Sequence, residues 1–104
     1  MVSFLKKLFA AGPSIDFKGL VKNGAVILDV RTRGEYQGGH VKGSVNMPLN
    51  ELPTSAARLN KSTPVITCCA SGMRSATAKN LLLEMGFSEV HNGGGWTSLN
   101  SKLR

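Results

Sequence analysis

Two uninterrupted apolar runs constrain the fold of this chain more than any other feature. The first, AVILDV, covers residues 25–30, and the second, VITCC, covers residues 65–69 directly after Pro64. Strands that are buried on both faces have this continuous pattern, whereas strands with one face in water alternate apolar and polar residues. Two shorter segments, SVNMP at residues 44–48 and SEVHN at residues 88–92, are also predicted as strands.

Helical segments separate these strands. They show apolar residues at helical spacing, a capping residue at the start, or a Gly at the end. The predicted helices are residues 16–24 (with Asp16 as N-cap), 50–60, 75–86 and 96–103, with a shorter helical turn at residues 32–40. The alternation predicts an α/β fold with a mainly parallel sheet and helices on both faces. Ligands bind such sheets at the carboxyl ends of the strands, where this chain has LDVR and TCCASGMRS.

The length of 104 residues fits one domain, which we assign to residues 15–104, with residues 1–14 as an N-terminal extension. The apolar run of the extension, LFAAG, is shorter than the ~7–15 residues of a secretory signal. No run approaches the ~18–20 apolar residues of a membrane span. We therefore expect a cytoplasmic protein with no membrane span. A short amphipathic helix in the extension, in contact with a membrane or with the domain's own surface, is the alternative.

The charge and the cysteines limit the partners. Thirteen basic and six acidic side chains give a net charge of +7, which favours anionic ligands. Nucleic acid is not expected, because KK is the longest basic run and one Trp and one Tyr make no stacking platform. The two cysteines are adjacent and the two histidines complete no zinc spacing, so we expect no disulfide framework, no metal and no cofactor.

The segment CASGMR, residues 69–74, has the features of an anion-binding loop between a strand and a helix. The backbone N–H groups of Ala70, Ser71, Gly72 and Met73 can point into one concavity, and the helix N-terminus adds positive potential. A thiol at its rim has its thiolate stabilised, and the thiolate is the nucleophile. From the loop alone, Cys69 is either such a nucleophile or a buried, inert strand thiol. Arg74 can face the anion or anchor the loop.

Together with this loop, the segment LDVRTRGEYQGGHVKGSVNMPL at residues 28–49 resembles the rhodanese family of sulfurtransferases. The loop has the family pattern Cys-x-Ser-Gly-x-Arg-Ser, and the resemblance covers about residues 16–102. It implies five mostly parallel strands flanked by helices, and a covalent cycle on Cys69. In that cycle the thiolate takes the outer sulfur of thiosulfate or a thiol persulfide. The resulting persulfide passes the sulfur to cyanide, a thiol or a sulfur-accepting protein.

The resemblance also implies supporting roles around the loop. Asp29 and Arg31 are expected to brace the loop by hydrogen bonds, Asp29 with loop residues and Arg31 with an acidic group. Ser75 completes the loop pattern behind the thiol. His40 is expected to be a partly buried imidazole that fixes the segment between strands, rather than a base. Residues 93–96 resemble the turn that precedes the family's last helix.

Other interpretations remain open. Counted from Cys68, five residues precede Arg74, which is the spacing of phosphatases and arsenate reductases with the same fold. Three features favour Cys69: the loop pattern registers only from it, residues 64–68 then form a full-length strand, and the loop has no acid to protonate a leaving oxygen. Cys68 would then be a buried residue on the opposite face of the strand, or a sulfur-relay partner. A non-enzymatic sulfur carrier or binding module is the third interpretation.

The donor is also open. Ala70 and Met73 make the rim of the loop less cationic than in family members with basic loop residues, so thiosulfate is expected to bind weakly. Persulfides of small thiols are the alternative donors.

Overall fold

The computed structural model describes residues 14–104. The predicted N-terminal extension, with its amphipathic helix, lies outside the described residues except for Ser14. Within the described part, the strands are β1 (Val26–Asp29), β2 (Val45–Asn46), β3 (Val65–Cys69) and β4 (Val90–Gly95). The α-helices are α1 (Phe17–Lys22), α2 (Arg33–Gln37), α3 (Leu52–Ser55), α4 (Met73–Glu84) and α5 (Trp96–Lys102). Short 3-10 turns at Leu49–Glu51 and Ala56–Arg58 flank α3.

The strands form one sheet in the order β2-β1-β3-β4, and every neighbouring pair is parallel. The α/β prediction with a mainly parallel sheet is confirmed. The expectation of five strands is wrong for residues 14–104, which form four. The four strands correspond to the four segments with a strand pattern, whereas the fifth strand was implied only by the family resemblance.

Two apolar cores lie on opposite faces of the sheet. One contains Leu28 and Cys69 and packs against α3 and α4 through residues such as Leu52 and Leu82. The other contains Ile27, Ile66 and Cys68 and packs against α1 and α5 through Phe17 and Leu99. The predicted arrangement with helices on both faces is confirmed. Because strand side chains alternate between faces, the two neighbouring cysteines belong to different cores.

Helix termini follow the sequence signals closely. Asp16 caps α1 by accepting a hydrogen bond from Gly19 N at 2.9 Å. Thr32 caps α2, and the Glu35 side chain returns a hydrogen bond from the Thr32 backbone, which completes a capping box. Helix α4 begins at Met73, two residues before the predicted start, because Gly72 adopts a left-handed conformation (φ 108°) that turns the chain directly into the helix.

The glycine run at residues 93–95 is strand, although it was predicted as a turn. A Cβ on Gly93 would lie 2.9 Å from both Ile66 Cγ2 and Thr67 O, and one on Gly95 would lie 2.9 Å from Ala70 O. Only glycine lets β4 approach β3 and the following loop this closely. The parallel register is also irregular between Thr67 and Cys69, where the strand passes into the loop.

Replacing Gly93 with alanine is expected to destabilise the protein by about 1–3 kcal/mol, because the added methyl group overpacks a buried site. Urea unfolding measures this change. The matched control is Gly34→Ala, since a Cβ there meets nothing within 4 Å and the position lies in α2. The control should be neutral or slightly stabilising. Equal stability of Gly93→Ala and the unsubstituted protein would contradict the close approach of β4.

Candidate active site

The candidate site lies at the carboxyl end of β3, where residues 69–74 connect the strand to α4. The Cys69 side chain is buried at its base. Three exposed residues, Ala70, Ser71 and Met73, form the rim, and Met73 is 81% exposed. The structure therefore places the predicted loop residues around Cys69, with no lysine or arginine among the rim residues themselves.

The Cys69 sulfur accepts hydrogen bonds from the loop. Gly72 N lies 3.0 Å and Ser75 N lies 3.4 Å from Cys69 Sγ. Burial raises the pKa of the Cys69 thiol, but hydrogen bonds from the Ser75 side chain and from the backbone of Ser75, Gly72 and Ser71 lower it, and the net shift is downward. The loop thus favours the thiolate, which is the chemically reactive form of cysteine.

Ser75 and Asn92 extend this network away from the loop. Ser75 is fully buried, and its Oγ lies 3.4 Å from Cys69 Sγ and 2.6 Å from Asn92 Oδ1. The Asn92 side chain also accepts from Gly94 N at 2.9 Å and donates to Gly72 O at 3.3 Å. Sequence analysis did not identify Asn92 as a site residue. Its available signal was a polar side chain near the carboxyl end of a predicted strand in a parallel sheet.

Arg74 anchors the loop instead of facing its concavity. Its guanidinium contacts Glu35 in α2 in a bidentate pair, with N–O distances of 2.7 and 3.0 Å. Hydrogen bonds from Arg74 and from the Thr32 backbone lower the pKa of Glu35 to about 2. Of the two roles left open for Arg74, the structure supports anchoring, and the positive charge is engaged by a carboxylate.

Asp29 and Arg31 form a buried pair at the end of β1. Arg31 Nε donates to Asp29 Oδ1 at 2.9 Å, and Arg31 Nη2 donates to Asp29 Oδ2 at 2.7 Å. Arg31 therefore contacts an acidic group, as expected, but the expected bonds from Asp29 to loop residues are replaced by this pair. The physical reason is proximity, because the two side chains are two residues apart and share one buried pocket.

Arg31 is held on its other side by α5 and by the segment after α2. Its Nη2 donates to Gly39 O at 2.7 Å, and its guanidinium carbon lies 4.9 Å from the centre of the Trp96 ring. A Cβ on Gly39 would lie 3.0 Å from the same indole. Trp96 therefore packs over the buried pair rather than against the Cys69 sulfur.

The prediction that His40 is partly buried is wrong. His40 is exposed, and its ring stacks on Tyr36 with 3.7 Å between centroids and an interplanar angle of 8°. Its Nδ1 lies 2.8 Å from Tyr36 O. The two glycines between Tyr36 and His40 after α2 allow the chain to fold back, so that the imidazole covers the tyrosine ring on the surface.

Cys68 has the opposite environment from Cys69. It is fully buried in the core with Phe17 and Leu99. Burial, with a contribution from the negative charge of Asp29, raises the pKa of the Cys68 thiol to about 12. The Cys68 thiol is therefore protonated at neutral pH, and it lies on the other side of the sheet from the apolar core that contains Cys69.

Alkylation of Cys69 by iodoacetamide is expected to show one inflection, below the ordinary pKa of a cysteine thiol. Only the thiolate reacts, so the rate rises as pH passes the lowered pKa of Cys69 and stays high above it. Glu35 adds no second inflection, because the pair with Arg74 is lost only as pH falls through about 2. Rates between about pH 5 and about pH 10 test this, and an inflection at or above the ordinary value would contradict it.

No helix in residues 14–104 has the length and apolar character that crossing a bilayer requires.

Comparisons with known proteins agree with this geometry. Residues 15–102 match the family model of the rhodanese-like domain. The chain is 40% identical over 70 residues to the thiosulfate sulfurtransferase PspE of Escherichia coli K12, which covers 65% of this chain and 67% of PspE. It is 39% identical over 66 residues to the putative sulfur carrier protein YrkF of Bacillus subtilis 168, which covers 64% of this chain but 36% of YrkF.

A solved structure supports the same assignment. The fold superposes on a structure described as a rhodanese with anions from E. coli, with a TM-score of 0.66 and 36% identity. The superposition covers 72% of this chain and 91% of that one. The family match, which spans most of the chain, and the match in fold carry one conclusion: this chain belongs to the rhodanese-like domain family.

Proposed function

We propose that the protein is a sulfurtransferase that carries a sulfane sulfur on Cys69. The observation that carries the proposal is the position of Cys69 Sγ, which accepts backbone N–H bonds from its own loop at the carboxyl end of β3. A loop of this kind stabilises negative charge on sulfur before and after transfer, as an oxyanion hole stabilises oxygen. The curated relative PspE, itself a thiosulfate sulfurtransferase, supports the reaction class.

The proposed cycle has two displacements at sulfur. First, the Cys69 thiolate attacks the outer sulfur of the donor, the donor S–S bond breaks, and the leaving sulfite or thiolate takes the electron pair. The product is a persulfide on Cys69 whose terminal sulfur is anionic. An acceptor thiolate or cyanide then attacks that sulfur, the bond to Sγ breaks, and the electron pair returns to Cys69. Sulfite and thiolates are stable anions, so neither step needs a strong general acid, in agreement with the exposed position of His40.

The charges around the loop favour a thiol persulfide over thiosulfate as donor. Arg74 and Arg31 are each paired with a carboxylate, and the rim carries exposed Met73 instead of a cation. Little positive charge is therefore free at the loop to bind a dianion. An organic persulfide has less need of it, since its apolar part can contact the rim.

We accordingly expect a lower Michaelis constant for glutathione persulfide than for thiosulfate in steady-state assays. Met73→Lys adds one cation at the exposed rim, and it should lower the Michaelis constant for thiosulfate by up to about fivefold at low ionic strength. Gln37→Lys, on exposed α2 surface outside the loop, adds the same charge as a control. Tighter use of thiosulfate than of the persulfide by the unsubstituted protein would contradict the proposed donor.

A sulfur-carrier role is the second candidate, and the similarity to the putative sulfur carrier YrkF favours it. In that role the acceptor is a protein thiol, and turnover with cyanide is incidental. The phosphatase or arsenate-reductase interpretation requires Cys68 as nucleophile, and the burial and raised pKa of Cys68 weigh against it. A cytoplasmic location remains a prediction, which cell fractionation with an antibody would test.

The deciding experiment is incubation with thiosulfate or glutathione persulfide, removal of the reagent, and intact-mass measurement with peptide mapping. We expect a gain of one sulfur atom on Cys69 that cyanide removes. Parallel samples receive an aryl phosphate or arsenate with a thiol reductant. No sulfur adduct, with turnover of either of these, would overturn the proposal in favour of Cys68 chemistry. No reaction in any sample would leave a binding module.

A further inference from the structure

The Ser75 hydroxyl has one proton and two neighbours that compete for it. Its Oγ lies 2.6 Å from Asn92 Oδ1 and 3.4 Å from Cys69 Sγ. Ser75 is fully buried, so water does not supply a substitute for either partner. At any moment the hydroxyl donates to one neighbour and presents lone pairs to the other.

The environment of Asn92 decides which neighbour receives the proton. Its Oδ1 faces Gly94 N at 2.9 Å and its Nδ2 faces Gly72 O at 3.3 Å. A backbone N–H can only donate and a backbone carbonyl can only accept, so this network sets the side-chain amide with its oxygen toward Ser75. An amide oxygen accepts hydrogen bonds only. The bond of 2.6 Å between Asn92 and Ser75 therefore takes the Ser75 proton, and Ser75 Oγ presents lone pairs to Cys69.

We propose that Asn92 is a positioning residue that holds the Ser75 hydroxyl as an acceptor for the Cys69 S–H and so favours the neutral thiol. When Cys69 ionises, lone pairs on Ser75 Oγ would face a negative sulfur. The hydroxyl must then rotate and donate to the sulfur, which breaks its bond to Asn92. Ionisation of Cys69 is thereby opposed by Asn92, while the backbone donors of Gly72 and Ser75 favour it in both orientations.

Few other groups influence this balance. Among titratable neighbours, Arg74 is engaged by Glu35, and Cys68 lies on the opposite face and stays protonated at neutral pH. From β4, the only side chain in the network is the neutral Asn92, because the residues that follow it in the strand are glycines. The chemistry of the Asn92 side chain is thus a direct control over the proton of Ser75. The inference concerns the proposed nucleophile, but its test needs no sulfur transfer, so failure of one is distinguishable from failure of the other.

The test is the pKa of Cys69, from the pH dependence of its alkylation by iodoacetamide with peptide mapping. Asn92→Leu removes the acceptor, frees the Ser75 proton for the thiolate, and should lower the pKa by about one unit. Asn92→Asp keeps an acceptor for Ser75 and Gly94, adds negative charge, and should raise the pKa. Both variants lose the donor to Gly72 O, so opposite shifts separate the proton effect from a loosened loop.

Two further variants complete the design. Ser75→Ala removes the hydroxyl that connects Asn92 to the sulfur, and in that background Asn92→Leu should leave the pKa of Cys69 unchanged. The matched control is Asn60→Leu, because Asn60 Oδ1 also accepts from a backbone N–H two residues later, Ser62 N at 2.8 Å, near the opposite end of β3. It should not move the pKa.

The position of Asn92 makes the test practicable. The residue is exposed, so Asn92→Leu opens no cavity. If it nevertheless fails to fold, Asn92→Asp decides alone, and an unchanged or lowered pKa of Cys69 in that variant overturns the proposal. A pKa that Asn92→Leu leaves unchanged or raises would overturn it. An equal shift with and without the Ser75 hydroxyl would also overturn it.

Discussion

Cys69→Ser is expected to reduce sulfur transfer by about 1,000-fold or more, because a serine hydroxyl at neutral pH is neither a thiolate nor able to hold a persulfide. Cys68→Ser is expected to keep most of the activity, since Cys68 belongs to the core on the other face of the sheet. The measurement is the initial rate of thiocyanate formation with thiosulfate or glutathione persulfide as donor. The two variants change adjacent residues by the same atom, so each is the control of the other.

The two substitutions also differ in their expected effect on folding. Cys68→Ser places a hydroxyl in an apolar core, so its stability must be measured beside its activity, and rates are compared at a temperature where it is fully folded. Loss of activity in folded Cys68→Ser, with activity retained in Cys69→Ser, would assign the chemistry to the wrong cysteine in our proposal. Loss in both would indicate a relay of sulfur between them.

Asp29→Asn is expected to lower the free energy of unfolding by about 3 kcal/mol or more, because it leaves the buried Arg31 without a counter-charge. The side chains of Arg31 and Asp29 are 5% and 0% exposed, and Trp96 compensates only part of the loss. Domains have about 5–15 kcal/mol in total, so the effect is a large fraction of the stability. Urea unfolding followed by circular dichroism measures it.

The control for this prediction is Glu51→Gln. Glu51 forms a pair with Arg33 of similar geometry, 2.6 Å between Nη2 and Oε1, but with side chains that are 66% and 38% exposed for Arg33 and Glu51. Water screens such a pair, so the unfolding midpoint should hardly move. Equal loss in Asp29→Asn and Glu51→Gln would show that burial of the Asp29–Arg31 pair is energetically unimportant.

The elements that sequence analysis identified are those whose signals are local. The runs before Asp29 and Cys69 predicted strands because no polar residue interrupts them, and each is a strand of the parallel sheet. The thiol, the loop and the neighbouring arginine were found because a nest needs only consecutive residues. Helix starts at Asp16 and Thr32 likewise depend on side chains within three residues of the cap.

The features that were missed depend on contacts between distant segments. Nothing near residue 92 indicates that Asn92 reaches Ser75, 17 positions earlier in the chain. The partner of Arg74 lies 39 positions away, in α2. The glycines of β4 were interpreted as a turn because local propensity cannot reveal that Ala70 O would collide with a side chain at residue 95. In each case, packing of the tertiary structure decides an outcome that local propensity leaves open.

The placement of the two thiols on opposite faces of β3 also determines how the site meets oxidants. Peroxide that reaches the loop can convert the Cys69 thiolate to a sulfenic acid, which ordinarily condenses with a nearby second thiol. The chain has one other cysteine, and its sulfur points through the sheet into the opposite core. An internal disulfide would require β3 to come apart. Oxidised Cys69 must therefore be rescued by a thiol from solution, so the same small thiols that serve as sulfur acceptors also protect the site.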